Sequence, residues 1–330
     1  MTIPTRRLGR TTCKVSEIGF GAWAIGAAWG KVDDTESVAA LHAALDAGLD
    51  FIDTADVYGD GHSERLIAQV LKARGGERPF VATKVGRRLP SQAVEGYTAE
   101  NLESWVDRNL RNLSTDCLDL VQLHCPPTEA YYHPELFERM DRLVERGKLR
   151  SYGVSVERVE EGLKAIEYPN VASVQIIYNM FRLRPAELFF REAQRRGVAV
   201  IVRVPLASGL LSGKFRADTR FEADDHRLFN RQGEAFDVGE TFSGVPYEVG
   251  LAAVERLRPL VSGDATMAQL ALRWILMHEA VTVVIPGARN PQQALANVAA
   301  ADLPALSDEA IGTIARVYAE DIKPHVHQRW

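Results

Sequence analysis

Polar side chains with useful chemistry follow short apolar runs at several points of the sequence. Asp53 closes such a run in LDFIDTADVYG and Tyr58 follows it, while Lys84 closes FVATKVG and His124 closes DLVQLHCP. A phenol with its usual pKa of about 10 holds a proton at neutral pH and can give it to a developing alkoxide. A nearby ammonium stabilises the phenolate that remains, and a carboxylate keeps that ammonium charged. His124 could orient a carbonyl oxygen by hydrogen bonding.

Each of these residues also has a structural alternative. A lone Lys or His at a strand end is more often a solvated or hydrogen-bonded structural group than a catalyst. Asp53 alone could cap the turn that follows it, and Tyr58 alone could be an amphipathic residue of a lid. The combination favours chemistry, because four polar groups that emerge at one rim of a fold converge on one site.

Eight short apolar runs alternate with amphipathic stretches and are candidate strands. They cover residues 18–21, 49–53, 80–84, 118–124, 149–155, 172–175, 198–203 and 282–285. Residues 35–47 and 99–113 carry apolar side chains at helical spacing, with Asp34 and Thr98 as predicted N-caps. Strands that alternate with helices imply parallel pairing, because a parallel connection needs a long crossover. We therefore predict the α/β class, as a (β/α)8 TIM barrel that forms one domain over residues 1–330.

A doubly wound open sheet is the competing architecture. Its Gly-rich turn, GxGxxG after the first strand, is absent, since Gly19, Gly21 and Gly26 have the wrong spacing. Two segments lie outside the repeat. Residues 6–17 are predicted to form an N-terminal β-hairpin that closes the barrel floor. Residues 214–246, a long loop after strand seven, are either a mobile lid or a decorated surface loop.

The composition bounds the possible partners. Hydrophobic residues make up 46% and charged residues 25% of the 330 residues, with a net charge of -5. This balance provides no basic surface for nucleic acid and no polybasic tail for lipid. The opening residues lack an apolar signal segment, and Arg203 and Pro205 interrupt the longest apolar stretch. We expect a cytoplasmic protein with a small-molecule partner, no nucleic acid and no membrane, and leave open whether it is a homo-oligomer.

The cysteines and histidines do not suggest a metal site. Cys13, Cys117 and Cys125 lack the spacing of a disulfide framework or a zinc site and suit a reducing compartment. The histidines are dispersed, and only His325 and His327 form a close pair. We therefore predict that no metal is bound.

The order and spacing of the motifs resemble the aldo-keto reductase family over nearly the whole chain. The motifs are RRLGRTTCKVSEIGFGAW, FIDTADVYGDGHSERLIAQVL, LDLVQLHCP, YGVSV, VQIIYNMF, VPLASGLLSGKF and VIPGARNPQQALAN. The resemblance implies an NADP(H)-dependent oxidoreductase that reduces an aldehyde or ketone to an alcohol. It implies that Asp53, Tyr58, Lys84 and His124 form the catalytic tetrad, with Tyr58 as general acid. In that tetrad Lys84 and Asp53 tune the phenol, and His124 positions the substrate.

The resemblance also implies a set of cofactor contacts. Ser155 and Gln175 match the positions that hold the nicotinamide carboxamide, but Val156 stands where the family commonly has Asn. One amide contact is therefore missing or supplied elsewhere. Arg203 replaces a tyrosine that stacks on nicotinamide in many members, and it could stack, bind pyrophosphate or pair with a barrel carboxylate. The full predicted set is Gly21, Ala22, Trp23, Asp53, Ser155, Gln175, Arg203, Pro205, Leu206, Ser208, Gly209, Leu210, Ser212, Lys214, Gly287, Ala288, Arg289, Gln293 and Asn297.

Two loops of this set are expected to hold phosphates. Residues 205–214 match a loop that wraps the pyrophosphate with backbone amides and a cation. Residues 287–289 precede a helix opened by Asn290 and Pro291, where exposed amides and the helix dipole favour phosphate. Arg289 would pair with the adenosine 2′-phosphate and favour NADPH over NADH, or else be a plain surface charge. The predicted substrate pocket consists of Trp23, Trp29, Tyr58, His124 and Cys125.

Two other functions fit the same barrel. A relative of this fold acts as an accessory subunit of potassium channels while it retains nucleotide binding. A nucleotide-binding regulatory subunit with little turnover is therefore an alternative. A lyase or isomerase that uses Lys84 as a Schiff-base nucleophile is a weaker one, because Asp53 should keep the amine protonated.

Overall fold

The computed structural model describes residues 3–26, 29–30 and 32–330. Its strands are β1 Thr5–Arg7, β2 Lys14–Ser16, β3 Phe20–Gly21, β4 Phe51–Asp53, β5 Phe80–Val85, β6 Leu120–His124, β7 Tyr152–Ser155, β8 Val171–Ile177, β9 Ala199–Arg203 and β10 Val281–Val284. Its α-helices are α1 Trp23–Gly26, α2 Asp34–Asp46, α3 His62–Arg74, α4 Ala99–Leu113, α5 Pro134–Glu145, α6 Val159–Ala165, α7 Phe189–Arg196, α8 His226–Phe229, α9 Tyr247–Leu257, α10 Met267–Leu276, α11 Pro291–Val298, α12 Asp308–Val317 and α13 Lys323–Val326.

Strands β3 to β10 pair in chain order as one parallel sheet that closes on itself. The ring is completed where β10 meets the segment before β3. There the backbone N–H of Gly19 donates to Val284 O at 2.8 Å, and the N–H of Val284 donates to Glu17 O at 2.9 Å. Each of the eight predicted strand segments overlaps a barrel strand. The predicted TIM barrel is therefore confirmed.

The barrel strands are buried on both faces, which explains why their sequences are nearly continuous apolar runs. Every residue of β6, Leu120–His124, and of β8, Val171–Ile177, is buried. Helices cover the outer surface, as parallel sheets require. Helix α4, for example, buries Leu102, Trp105 and Val106 on one face, as the helical spacing predicts.

Side-chain caps set the starts of the two helices that the sequence predicts most clearly. Thr98 caps α4 by accepting a hydrogen bond from the backbone N–H of Asn101 at 3.1 Å. The predicted cap of α2, Asp34, is wrong by one residue. Asp33 is the cap, because its carboxylate accepts hydrogen bonds from the N–H groups of Thr35 and Glu36.

The N-terminal hairpin closes the barrel floor, as predicted. Strands β1 and β2 pair antiparallel, and Leu8 and Val15 are wholly buried in a core cluster of the barrel interior. The turn brings Gly9 against the ends of two strands. A Cβ at Gly9 would lie 2.5 Å from Ala172 O and 2.6 Å from Ala199 N, and its φ is +55°. Only glycine fits that contact without displacing the backbone.

The long loop after β9, residues 214–246, is internally ordered by hydrogen bonds. It carries α8 and two 3₁₀ turns, Val238–Glu240 and Phe242–Gly244. The carboxamide oxygen of Asn230 accepts from two backbone N–H groups of the loop, and Asn230 Nδ2 donates to Thr241 Oγ1 at 3.1 Å. An antiparallel bridge joins Asp225 to Trp29, which lies after β3. The loop therefore crosses the barrel mouth and is fixed on its far side.

Candidate functional site

Three of the four predicted catalytic residues end neighbouring strands. Asp53 ends β4 and pairs with Ala82 in β5, Lys84 lies near the end of β5 and pairs with Gln122 in β6, and His124 ends β6. Because the strands are parallel and in register, these side chains emerge at one mouth of the barrel. Tyr58, in the loop after β4, lies at the same mouth.

The Lys84 ammonium lies at the centre of a short hydrogen-bonded chain. Its Nζ donates to Asp53 Oδ1 at 2.5 Å, to the Thr54 carbonyl oxygen at 2.8 Å and to Tyr58 Oη at 3.3 Å. Lys84 is wholly buried and Asp53 is 2% exposed. Since all three donor positions of the ammonium are used, the phenolic proton of Tyr58 is free to point elsewhere.

Two glutamines hold the other oxygen of Asp53. Gln175 Nε2 donates to Asp53 Oδ2 at 2.7 Å and Gln122 Nε2 donates to the same atom at 3.1 Å. Both glutamines are buried in the barrel interior. The predicted carboxamide ligand Gln175 therefore already orients the carboxylate that pairs with Lys84.

Burial and the ion pair set the protonation of the site. Burial raises the pKa of Tyr58, although the Lys84 ammonium opposes part of this effect, so the phenol keeps its proton at neutral pH. Burial works against the charge of Lys84, but Asp53 and Tyr58 outweigh it and raise the pKa of the ammonium. The site thus combines a protonated phenol with a permanent positive charge beside its oxygen.

His124 is a neutral imidazole beside the phenol. Its ring is nearly perpendicular to that of Tyr58, with centroids 6.0 Å apart. Burial, and then the positive charges of Arg87, Lys84 and Arg203, hold its pKa well below the usual value. Its Nδ1 is buried and has no hydrogen-bonding partner among residues 3–26, 29–30 and 32–330. A neutral imidazole can offer one N–H to a carbonyl oxygen.

A cavity of about 510 Å³ begins at Tyr58 and His124 and extends along the barrel mouth. Most of the predicted cofactor residues line it. They are Gly21, Trp23, Asp53, Gln175, Arg203, Pro205, Leu206, Ser208, Gly209, Ser212, Lys214, Gly287, Arg289, Gln293 and Asn297. Four predicted residues are buried and do not line the cavity, namely Ala22, Ser155, Leu210 and Ala288. Of the predicted substrate pocket, Trp23, Trp29, Tyr58 and His124 line the cavity and Cys125 does not.

The loop after β9 adopts the conformation of a backbone cradle. Ser208 and Gly209 have positive φ, at 53° and 99°, inside the 3₁₀ segment Ala207–Ser212. The Ser208 hydroxyl donates to Glu240 O at 2.9 Å and accepts from the N–H of Phe242 at 3.1 Å. The Ser208 hydroxyl therefore anchors the long loop to this segment.

The far end of the cavity is formed by the start of α11. Asn290 caps the helix by accepting from the N–H of Gln293 at 2.9 Å, and Pro291 is its first residue. The guanidinium of Arg289 donates to Trp29 O. Burial, together with the neighbouring charge of Arg227, lowers the pKa of Arg289. A helix N-terminus beside two guanidinium groups is suited to an anion.

Aromatic side chains from three segments form one wall near Tyr58. Trp23 stacks on the Tyr58 ring at 6.1 Å and meets Trp29 edge-on at 5.3 Å. His226 and Phe236 of the long loop pack against Trp23, with centroids 4.7 and 6.0 Å away. The loop thus contributes His226 and Phe236 to this wall, two residues that the predicted substrate pocket does not include.

Comparison with known proteins assigns the family. Residues 17–319 match the family model described as "Aldo/keto reductase family". The chain belongs to the aldo/keto reductase family. Its predicted resemblance is therefore confirmed over most of its length.

Curated relatives support the same family assignment. The chain is 31% identical over 292 residues to "Aldo-keto reductase YhdN" of Bacillus subtilis, covering 86% of this chain and 84% of that protein. It is 27% identical to "NADH-specific methylglyoxal reductase" of Escherichia coli, covering 96% and 98%. It is also 27% identical to a "Probable voltage-gated potassium channel subunit beta" of Oryza sativa subsp. japonica, covering 94% and 95%.

Solved structures of aldo-keto reductases resemble the barrel throughout. The holo form of aldo-keto reductase AKR11C1 from Bacillus halodurans superposes with a TM-score of 0.75 at 29% identity, covering 96% of both chains. An aldo/keto reductase from Klebsiella pneumoniae in complex with NADP and acetate gives a TM-score of 0.68 at 26% identity, also covering 96% of both.

This aldo/keto reductase has charged residues at its mouth that the sequence analysis missed. Arg87, Glu157 and Glu240 surround Arg203, and Arg227 lies over Trp29. Glu157 had a local signal, because it directly follows Val156, where the chain departs from the family pattern. Glu240 had none, because it reaches the site only through the fold of the long loop.

Cys125 is not suited to nucleophilic chemistry. Burial raises the pKa of the Cys125 thiol to about 12, so this residue is not an activated nucleophile.

In the part of the chain that the structure describes, no helix combines the length and hydrophobicity needed to span a bilayer.

Proposed function

We propose that the chain reduces an aldehyde or ketone to an alcohol with NADPH, with Tyr58 as the general acid. The observation that carries the proposal is the chain Asp53–Lys84–Tyr58, whose phenol faces a cavity beside a neutral His124. No part of this arrangement requires a second domain, so we propose that one barrel performs the whole reaction.

The four side chains divide the work around one carbonyl oxygen. His124 and Tyr58 would both donate hydrogen bonds to this oxygen, which fixes the orientation of the substrate. As negative charge develops on the oxygen, Tyr58 transfers its Oη proton to it. The Lys84 ammonium, 3.3 Å from Tyr58 Oη, then stabilises the phenolate. Asp53 holds the ammonium in place and keeps it charged.

The two ends of the cavity suit the two ends of NADPH, with the nicotinamide at the tetrad and the adenosine 2′-phosphate at Arg289. When bound, the reduced nicotinamide supplies the hydride. Near the tetrad, Gln175 and Arg203 line the space available to the ring, and Ser155 is buried on β7, where it pairs with Gln175. At the other end Arg289 has its pKa lowered by burial and by Arg227. An anion there would pair with the Arg289 guanidinium, whereas Arg227 already pairs with Asp225.

Arg289 also supports a preference for NADPH. Its position before the first turn of α11 suits a 2′-phosphate, which NADH lacks. A relative whose name specifies NADH shows that this preference differs among similar chains. We therefore assign the preference to Arg289 itself and not to membership of the family.

A nucleotide-binding accessory subunit is the second candidate. It is favoured by the similarity to a probable potassium channel subunit. Such a subunit would bind NADPH tightly and turn over little. The predicted alternative therefore differs from the first proposal in turnover and not in binding.

Turnover separates the two candidates. We would mix the chain with NADPH and a panel of aldehydes and ketones and follow the loss of NADPH absorbance. Tyr58→Phe should retain NADPH binding and lose roughly 10²- to 10⁴-fold in kcat, the usual contribution of a general acid. An inactive wild type that still binds NADPH would favour the accessory subunit, and full turnover by Tyr58→Phe would refute the assigned acid.

A further inference from the structure

Arg203 is held in one orientation by its neighbours at the end of β9. Its Nη2 donates to Glu157 Oε2 at 2.8 Å and to the carbonyl oxygen of Val156 at 3.0 Å. Its Nη1 lies 3.7 Å from Glu240 Oε1. The residue is 7% exposed, so packing and hydrogen bonds together fix the plane of the guanidinium.

A second guanidinium also contacts these two carboxyl groups. Arg87 Nη2 donates to Glu240 Oε1 at 2.5 Å and to Glu157 Oε1 at 3.2 Å. The cluster of Arg87, Glu157, Arg203 and Glu240 thus joins two guanidinium groups to two carboxyl groups, and burial, together with Glu240, raises the pKa of Glu157 to about 8. Because each carboxylate has two basic partners, Arg203 does not need a further anion to be stable in this position.

The Nε–H of Arg203 is a donor that this cluster does not use. Its Nε is buried and has no hydrogen-bonding partner in the described ranges 3–26, 29–30 and 32–330. Arg203 lines the same cavity as Asp53, Tyr58 and Gln175. An unpaired buried N–H is unfavourable, and a ligand that accepts a hydrogen bond there removes the penalty.

The neighbouring positions lack a donor that the family commonly has. Val156, which stands where an Asn amide is common, is apolar and wholly buried. Gln175 directs its Nε2 at Asp53 and Gln122. A nicotinamide carboxamide oxygen placed here would therefore find no side-chain amide donor at either position.

We propose that the Nε–H of Arg203 donates a hydrogen bond to the carboxamide oxygen of nicotinamide and replaces the amide that Val156 lacks. Arg203 is then a positioning residue, and Glu157 is the group that aims it. The inference rests on the proposed function, because it assumes that NADPH binds in this cavity. Stacking on the ring, binding of pyrophosphate and a purely structural pairing with carboxylates are the competing roles for the same side chain.

The affinities of the Arg203→Met variant for three ligands distinguish these roles. We would measure dissociation constants by fluorescence for NADPH, for its thionicotinamide analogue and for 2′-phospho-ADP-ribose, which has the pyrophosphate but no nicotinamide. Loss of a charged donor should raise the dissociation constant of NADPH roughly 10- to 100-fold. The constant for 2′-phospho-ADP-ribose should stay within about twofold, whereas loss of a pyrophosphate contact would raise it.

The sulfur analogue is the readout that a structural or stacking role would not produce. Sulfur is a weak acceptor, so the wild type should bind the thionicotinamide analogue several-fold more weakly than NADPH, and Arg203→Met should bind the two alike. A stacking role would leave the difference between the two cofactors unchanged. Arg289→Met is the matched control, since it should weaken both cofactors and preserve that difference.

Two further variants keep the result interpretable. Arg203→Met/Glu157→Leu removes the carboxyl group that loses one of its two basic partners in the single variant, and it should lose NADPH affinity to the same extent. Arg203→Lys keeps the charge but lacks Nε, and it should not recover the affinity. Unchanged NADPH binding in the double variant overturns the inference while the proposed function stands. A wild type that binds no NADPH overturns both.

Discussion

Asp53→Asn tests whether the buried ion pair at the barrel mouth is as strongly coupled as its geometry indicates. The substitution keeps the shape of the side chain but removes the charge opposite Lys84, at 2.5 Å and nearly full burial. It also places an amide where Gln122 and Gln175 both donate to Oδ2. Removing one partner of a buried pair leaves the other charge uncompensated, so we expect unfolding to become easier by about 3–5 kcal/mol.

The pH dependence of the free energy of unfolding provides a second, independent test of this prediction. In the wild type Asp53 and Tyr58 raise the pKa of Lys84 despite its burial. This stabilisation is present at neutral pH and is lost as the pH rises through the raised pKa. Without the carboxylate, burial dominates and the pKa of Lys84 falls below its unfolded value. The variant is then less stable than the wild type while Lys84 is protonated, and it regains stability as Lys84 loses its proton. The difference in the free energy of unfolding between wild type and variant should therefore decrease between about pH 7 and about pH 10.

Urea unfolding followed by tryptophan fluorescence at several pH values measures both effects. Asp46→Asn is the matched control, because Asp46 pairs with Arg74 at 2.7 Å but is 67% exposed. It should change the free energy of unfolding by no more than about 1 kcal/mol, without a trend above neutral pH. A variant as stable as the wild type, or a deficit that does not vary with pH, would refute the reasoning.

Three other substitutions and one pH–rate profile test separate parts of the structure. Arg289→Met should raise the dissociation constant of NADPH roughly 10- to 100-fold and leave that of NADH nearly unchanged, as measured by cofactor fluorescence titration. Leu8→Ala should lower the free energy of unfolding by about 2–5 kcal/mol in urea, because Leu8 is wholly buried at the barrel floor. Gly244→Ala should lower the melting temperature, since its Cβ would lie 2.4 Å from the Trp330 ring at φ +75°. The kcat/KM profile should show no inflection between about pH 6 and about pH 7.5 from His124, whose imidazole is held neutral. An inflection in that range that disappears in His124→Gln would contradict the assigned neutral state.

The strands and the convergence of the tetrad were predictable because both follow from local patterns. A buried parallel strand must be apolar along its whole length, so the runs that contain β4, β5 and β6 are visible in the sequence. Once the strands are parallel, their carboxyl ends share one rim, and Asp53, Lys84 and His124 must lie near one another. The cap of α2 was misplaced by one residue, because Asp33 and Asp34 are adjacent and equally suited to capping.

The polar environment of the tetrad could not be predicted in the same way. The contacts that orient Asp53 come from Gln122 and Gln175, 69 and 122 residues away in the chain. Neither glutamine stands in a pattern that distinguishes an inward-facing orienting role from a cofactor contact. Only the register between β6, β7 and β8 places both amides on the same carboxylate oxygen.

The charged cluster at Arg203 depends on the long loop, whose conformation is set by residues still farther away. Glu240 joins Arg87 across 153 residues of chain. Its 3₁₀ turn is held by Ser208 on one side, and on the other by Trp330, whose indole Nε1 donates to Asp237 Oδ1 at 2.8 Å. A continuous series of contacts through the loop therefore joins Trp330 to Arg203. The loop is therefore part of the barrel mouth. Its length alone could not distinguish a mobile lid from an ordered surface loop, because the contacts that order the loop come from distant residues.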